Sequence, residues 1–303
     1  MSPIKSNSPF ASYFDFFSKS GTDASDPYVA PTLGEVEFTT PGTHSWTAPV
    51  SAAHFGISIV VVGGGGGTRY RTPSSNYGAG GGGGGLRWRN AYPVTAGTSY
   101  EIKVGAGSQS APGTVLNGGE SYFISPSILY AEGGQGGKDS SVSAGGGGSP
   151  TSSPLIGGGD GGNGYDSEQS GGGAGAGGGA GGYSGNGGSK APGGSGTNGA
   201  GGAGGGGFGG GGGVGIFGQG PNGSYGFNQG AGGSGGTDGG AYASPTAGGK
   251  GGTYGGGGGC IDNAGPFPQT NADGGGGAVR IIWGPGRQFP NTGTGNNGTP
   301  EPS

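Results

Sequence analysis

The chain of 303 residues contains 94 Gly, 21 Pro and one Cys, carries a formal net charge of −4, and draws only 28% of its residues from the hydrophobic set. With 12 Lys and Arg there is no basic field to neutralise a phosphate backbone, so nucleic-acid partners are not expected; Cys260 alone excludes an intramolecular disulfide framework and a cysteine zinc site. Collagen is excluded by phase, because Gly fills two or three positions of each triplet, as in Gly255 to Gly259, where the collagen axis needs one.

Residues 1–34 read as an N-terminal attachment arm in which Pro, Ser and Asp surround the aromatic cluster Phe10, Tyr13, Phe14, Phe16 and Phe17. One or two helical turns would place Phe10, Phe14 and Phe17 on one face. The arm either folds back on its own domain or docks on another protein. The opening residues hold no continuous apolar stretch of signal-peptide type, and no 18-residue apolar run occurs, so neither a signal peptide nor membrane insertion is expected.

Residues 35–132 read as a β unit. Its predicted strands are 35–39, 43–47, 55–62, 86–94, 99–104, 120–124 and 128–132. Alternation marks several of them: along Ser99 to Val104 the side chains of Tyr100, Ile102 and Val104 point one way and those of Ser99, Glu101 and Lys103 the other. Phe55 to Val62 has the apolar composition of a buried strand.

Residues 133–277 form a glycine-rich body with a period of three. Glu132, Gln135 and Lys138 are separated by Gly pairs; Asp160, Asn163 and Asp166 keep the same spacing, with Gly161-Gly162 and then Gly164-Tyr165 between them, and a longer track runs through Ala174, Ala180, Tyr183, Asn186 and Ser189. A left-handed helix of the polyproline-II type has three residues per turn and no internal hydrogen bonds, so all its peptide groups point outward. Polyglycine-II helices of this geometry could lie side by side and satisfy one another. Buried helices would then be nearly pure Gly, as in Gly80 to Gly85 or Gly204 to Gly213, and surface helices would carry one solvent-facing track. Phe208, inside a Gly run, reads as a core plug. Because Gly loses the most backbone freedom on ordering, such a body needs an apolar cap to nucleate it.

Ala278 to Trp283 returns to strand, so 278–283 is expected to close the β unit, and 284–303 reads as a flexible tail. The expected fold class is therefore all-β plus irregular, with a small antiparallel β unit capping packed polyglycine-II helices.

The string from Phe38 to Pro49, the strand ending Val60-Val61-Val62 before Gly63 to Gly67, Ala96 to Tyr100 before Val104 to Gly107, and Gly274 to Trp283 resembles the glycine-rich domain tail-fibre and receptor-binding proteins of tailed bacteriophages. The design is also similar to the polyglycine-II adhesins at the tips of T-even-type long tail fibres. The resemblance implies a virion structural and adhesive protein that uses loops for host attachment. It implies an arm that docks on other virion proteins through Phe10, Tyr13, Phe14 and Phe17, and a virion-surface location on tail fibre or tail tip, or on the capsid. Homotrimers fit the same picture.

Catalytic chemistry finds no constellation in the sequence. Gly137-Lys138-Asp139 and Gly249-Lys250-Gly251 lack the Ser or Thr of a phosphate-binding loop. His44 and His54 flank Trp46 and Pro49 without a carboxylate cluster and read as structural rather than metal-ligating, and scattered Asp and Glu supply no glycosidase pair. The expectation is a non-enzyme without cofactor or metal. Binding candidates are aromatics and an arginine on segments that interrupt glycine: Tyr70, Arg71, Tyr77, Phe217, Tyr225, Phe227, Tyr242 and Phe267. They contact a host cell-surface glycan or protein, or they cap helix ends and shield the body from water. The alternative to receptor binding is a purely structural capsid or tail decoration; a matrix or antifreeze protein is a third reading.

Overall fold

The computed structural model describes residues 32–68, 79–109, 117–137, 156–165, 174–190, 196–241, 248–261 and 272–290. The expected attachment residues Phe10, Tyr13, Phe14 and Phe17 lie outside them. The regular secondary structure of the described residues is mostly strand, in antiparallel sheets, with almost no helix. The elements are β1 (Gly34–Phe38), β2 (Gly42–Thr47), α1 (Val50–Phe55), β3 (Ile57–Val62), β4 (Leu86–Tyr92), β5 (Ser99–Val104), β6 (Ser121–Phe123), β7 (Leu129–Ala131), β8 (Ile156–Gly159), β9 (Ala174–Gly175), β10 (Cys260–Ile261) and β11 (Ala278–Trp283).

A five-stranded sheet runs β1-β11-β3-β4-β8 and a four-stranded sheet β2-β5-β6-β7, while β9 and β10 pair with each other. The period-two pattern of β3 is lost because both faces of its sheet are covered, so every residue from Ile57 to Val62 is buried. On one face Ile57, Ile59, Val61, Val279 and Ile281 meet Trp46, Ile102, Val104, Phe123 and Leu129 of the four-stranded sheet. On the other, Val60, Val62, Leu86, Ala278 and Ile282 pack on Ala180, Tyr183, Val214 and Ile216 of the glycine-rich body. Burying one such side chain contributes about 1.5–3 kcal/mol.

The expected terminal strand lies between β1 and β3, with Val36 opposite Ile281 and Val60 opposite Arg280. Three details differ from expectation. Phe55 ends α1 instead of opening β3, and Gly56 at φ 71° makes the corner between them. β8 lies in the stretch assigned to the body because the free edge of β4 supplies its partner, with Leu86 opposite Gly159. Residues 284–290, assigned to the flexible tail, are held: Phe289 is buried and stacks on Tyr183 at 5.8 Å, while its N–H and C=O bond both ends of the Asn90 amide.

The body takes in Gly63 to Gly67 and Gly80 to Gly85 from the stretch assigned to the β unit, and within it the hydrogen bonds run sideways to distant parts of the chain. Along Gly80 to Gly85, successive N–H groups donate to Tyr165, Gly258, Gln135, Gly162, Gly255 and Glu132 at 2.7–3.0 Å. Each direction thus recurs after three residues: 80 and 83 reach 165 and 162, 81 and 84 reach 258 and 255, 82 and 85 reach 135 and 132. Neighbours run both ways, since Gly178 and Gly181 donate to Gly81 and Gly84 in parallel sense.

The segments touch backbone to backbone. A Cβ on Gly65 would sit 1.9 Å from the Gly256 carbonyl oxygen, one on Gly81 2.1 Å from that of Gly66, and one on Gly211 2.0 Å from that of Gly178. The dense runs 80–85, 209–213 and 255–259 are buried throughout, and Glu132 and Gln135 are exposed between buried glycines. The longer track is not solvent-facing over its whole length. Ala180 and Tyr183 point inward to the sheet, and only after the bend at 183–185 does Asn186 face outward.

Candidate functional site

Of the aromatic candidates, Phe217, Tyr225 and Phe227 are described, and Tyr70, Arg71, Tyr77, Tyr242 and Phe267 lie outside the described residues. The three described side chains are close in sequence, yet the fold separates Phe217 from Tyr225 and Phe227. Phe217 follows Val214 and Ile216, which pack on the five-stranded sheet. Tyr225 and Phe227 come after one passage along the body. The register locates them at the end remote from the five- and four-stranded sheets: Gly63 beside β3 pairs with Gly85 beside β4, whereas Gly80 pairs with Tyr165, Tyr165 with Ala176, and Gly177 with Gly209 and Gly205. A Cβ on Gly206 would lie 2.3 Å from the Phe227 carbonyl oxygen, which ties the Phe227 turn to that end.

The turn is built by its own backbone. Tyr225 and Gly230 form an antiparallel bridge, the Tyr225 N–H donates to Asn198 Oδ1 at 2.7 Å, and the Tyr225 ring lies where a side chain on Gly196 would be. These contacts hold Tyr225 half-buried and lift Phe227 to 79% exposure at the tip. Below it, Gln229 Nε2 donates to Asp238 Oδ2 at 3.3 Å, and Asp238 Oδ1 accepts the Gly232 N–H. The arrangement offers an exposed apolar ring on a braced tip, a feature suited to contact with another surface. Phe208, expected as a core plug, is half-buried in the adjacent turn at 207–208.

Phe217 is engaged differently. Although 46% exposed, its ring covers the Arg280 guanidinium at 4.4 Å. Arg280 is 2% exposed in β11, and its Nη2 donates to Glu35 Oε2 at 2.7 Å while Nε lies 3.4 Å from Glu37 Oε1. Arg287 donates through Nη2 to the same Glu35 oxygen and through Nη1 to the Gly34 carbonyl at 2.9 Å. The hydrogen bond from Arg287, helped by the charges of both arginines and opposed by burial, holds the Glu35 carboxyl below its usual range. Sequence reasoning missed this cluster. Its signal was present: a charge inside the apolar run 278–283, and two glutamates at alternate positions of β1 able to face it.

His44 and His54 make separate contacts. His44 bonds the Thr40 carbonyl at 2.7 Å and lies 5.4 Å from the Phe38 ring, whereas His54 meets Phe55 edge-on in α1. Among the described residues no group of three His, Cys, Asp or Glu is placed to hold a metal ion. Residues 39–284 match a family model described as a glycine-rich domain. The search of curated proteins finds no match for the chain.

Proposed function

The chain belongs to the glycine-rich domain family, and on that footing we propose that it is a virion structural and adhesive protein, a phage tail-fibre or receptor-binding protein. Its N-terminal arm attaches to other virion proteins through Phe10, Tyr13, Phe14 and Phe17, and loops remote from the β unit contact a glycan or protein on the host cell. Adhesion of this kind requires no catalysis. The observation that carries the reading is Phe227, presented at 79% exposure on a braced turn at the end of the body remote from the five- and four-stranded sheets. Tyr70, Arg71, Tyr77, Tyr225, Tyr242 and Phe267 are assigned to the same contact surface from sequence.

Phe227→Ala is expected to lower adsorption of particles to host cells at least tenfold and to leave the unfolding midpoint unchanged, because little of the ring is buried. Unaltered adsorption would count against the adhesive reading. The second reading, a capsid or tail decoration without receptor binding, draws support from Phe217, which covers a buried guanidinium; Phe217 is accordingly assigned to packing in preference to receptor contact.

For the body we infer left-handed polyglycine-II helices packed side by side and capped by the five-stranded sheet. The supporting observation is the return of each hydrogen-bond direction after three residues, as three residues per turn require. Backbone couplings measured by NMR for residues 80–85 should give φ about −75° and ψ about +145°. Values near −140° and +135°, those of an antiparallel strand, would overturn it.

A further inference from the structure

The polar side chains on the outer segments are not simply solvated. Asp160 and Asn163 donate their N–H groups to Asn186 Oδ1 at 2.9 Å and Ser189 Oγ at 2.8 Å, while Gly187 and Lys190 donate theirs back to the carbonyls of Asp160 and Asn163. Donors and acceptors both advance by three residues. A second form uses threonine. The Thr197 N–H donates to the Ser189 carbonyl at 2.8 Å while its Oγ1 accepts the Ser189 N–H at 2.9 Å. Thr237 repeats this on Thr253, donating at 2.9 Å and accepting at 2.6 Å. Asn117 on Gly136, Asn198 on Tyr225 and Asp238 on Gly232 follow the same rule.

Each of these bonds occupies a direction in which an interior segment would meet another glycine backbone. Left open, a row of N–H groups recurring every third residue, about 9 Å apart for a rise of about 3.1 Å, is a template for one more glycine segment, as an open edge strand is for another strand. Short oxygen acceptors reach back and fill the row; longer side chains could not do so without projecting past it.

We propose that Asn186, Ser189, Thr197 and Thr237 are lateral terminators: they close the hydrogen-bond array at its outer faces and exclude a glycine segment from a second copy of this chain. The proposal depends on the observed bonds and is independent of the adhesive reading.

The test uses the full chain in two variants, Asn186→Ala/Ser189→Ala and the near-isosteric pair Thr197→Val/Thr237→Val, compared with the parent protein. Hydrogen exchange at the amides of 160 and 163 in the first variant, and of 189 and 253 in the second, should rise at least tenfold. Sedimentation should show concentration-dependent self-association beyond that of the parent, and Asn186→Asp, which keeps an acceptor, should restore parent behaviour at amide 160. Unchanged exchange overturns the proposal, and so does faster exchange with no added association. Should the alanine variant fail to fold, the valine variant decides alone, since it keeps shape and exchanges only the hydroxyl for a methyl.

Discussion

Gly81→Ala is expected to destabilise the protein by about 3 kcal/mol or more, the upper part of the range for overpacking, and to lower the thermal midpoint by roughly 6–12 °C for a chain of this size. The new methyl would stand 2.1 Å from the Gly66 carbonyl oxygen and 2.4 Å from its carbon. In an ordinary core a neighbouring side chain changes rotamer and the cost falls. Here the obstacle is backbone already fixed by bonds of its own: the Gly81 N–H is given to Gly258, and its carbonyl accepts from Gly178. Moving one segment away from the methyl therefore strains hydrogen bonds to two others. Gly276→Ala is the control, because a Cβ there meets no heavy atom within 4 Å, and its effect should stay within about 0.5 kcal/mol. Denaturant and thermal unfolding of the two variants check the ranking. Equal midpoints would mean that the body yields to side chains and is not packed backbone on backbone.

The sheets were legible where side chains carry a phase. Ser99 to Val104 alternates, Ile57 to Val62 is apolar enough to need two covered faces, and Ala278 to Trp283 returns as strand after the glycine stretch; all three are strands. Period three in the body was equally plain, because the residues that interrupt glycine mark it. What the residues could not reveal is the partner of each segment. A glycine run has no face, so nothing in Gly80 to Gly85 distinguishes a parallel neighbour at 178–181 from an antiparallel one at 255–258. For the same reason β8, Ile156–Gly159, is strand only because the edge of β4 receives it.

The candidate site divides along the same line. That Phe217 and Phe227 would interrupt the scaffold was readable, but which end of the body each reaches depends on where the chain reverses. The intervening passage sends them to opposite ends, one onto Arg280 and one into solvent. Phe289 shows the converse: a Pro- and Gly-rich context suggested a loose tail, and one aromatic ring stacked on Tyr183 anchors its described part, residues 284–290.

The second large effect concerns the charge buried at that junction. Glu35→Ala/Glu37→Ala removes both carboxylates that face Arg280 and leaves a guanidinium that is 2% exposed without counter-charge beside it, and with the Arg287 cation close by. Breaking a buried pair by deleting one side costs about 3–5 kcal/mol; the half-exposed glutamates place the expected loss near the lower end, about 3 kcal/mol. Arg280→Met should cost less than the glutamate pair, since it removes the charge that needs a partner and leaves Glu35 on Arg287 and in reach of water. The order of the two denaturation midpoints is the test, and Arg280→Met being the worse variant would sink the argument. Acid should act in the same direction as losing the glutamates. Because the folded Glu35 carboxyl lies below its ordinary value of 4.5, its contribution is complete above that value and disappears as the pH falls through the lower folded one. The parent protein should therefore lose stability on acidification below about pH 4.5 more steeply than Glu35→Gln, which has no such proton to take up. The loss should begin at β1, the edge strand that Glu35 and Glu37 hold to β11, and hydrogen exchange at Val36 should report it first.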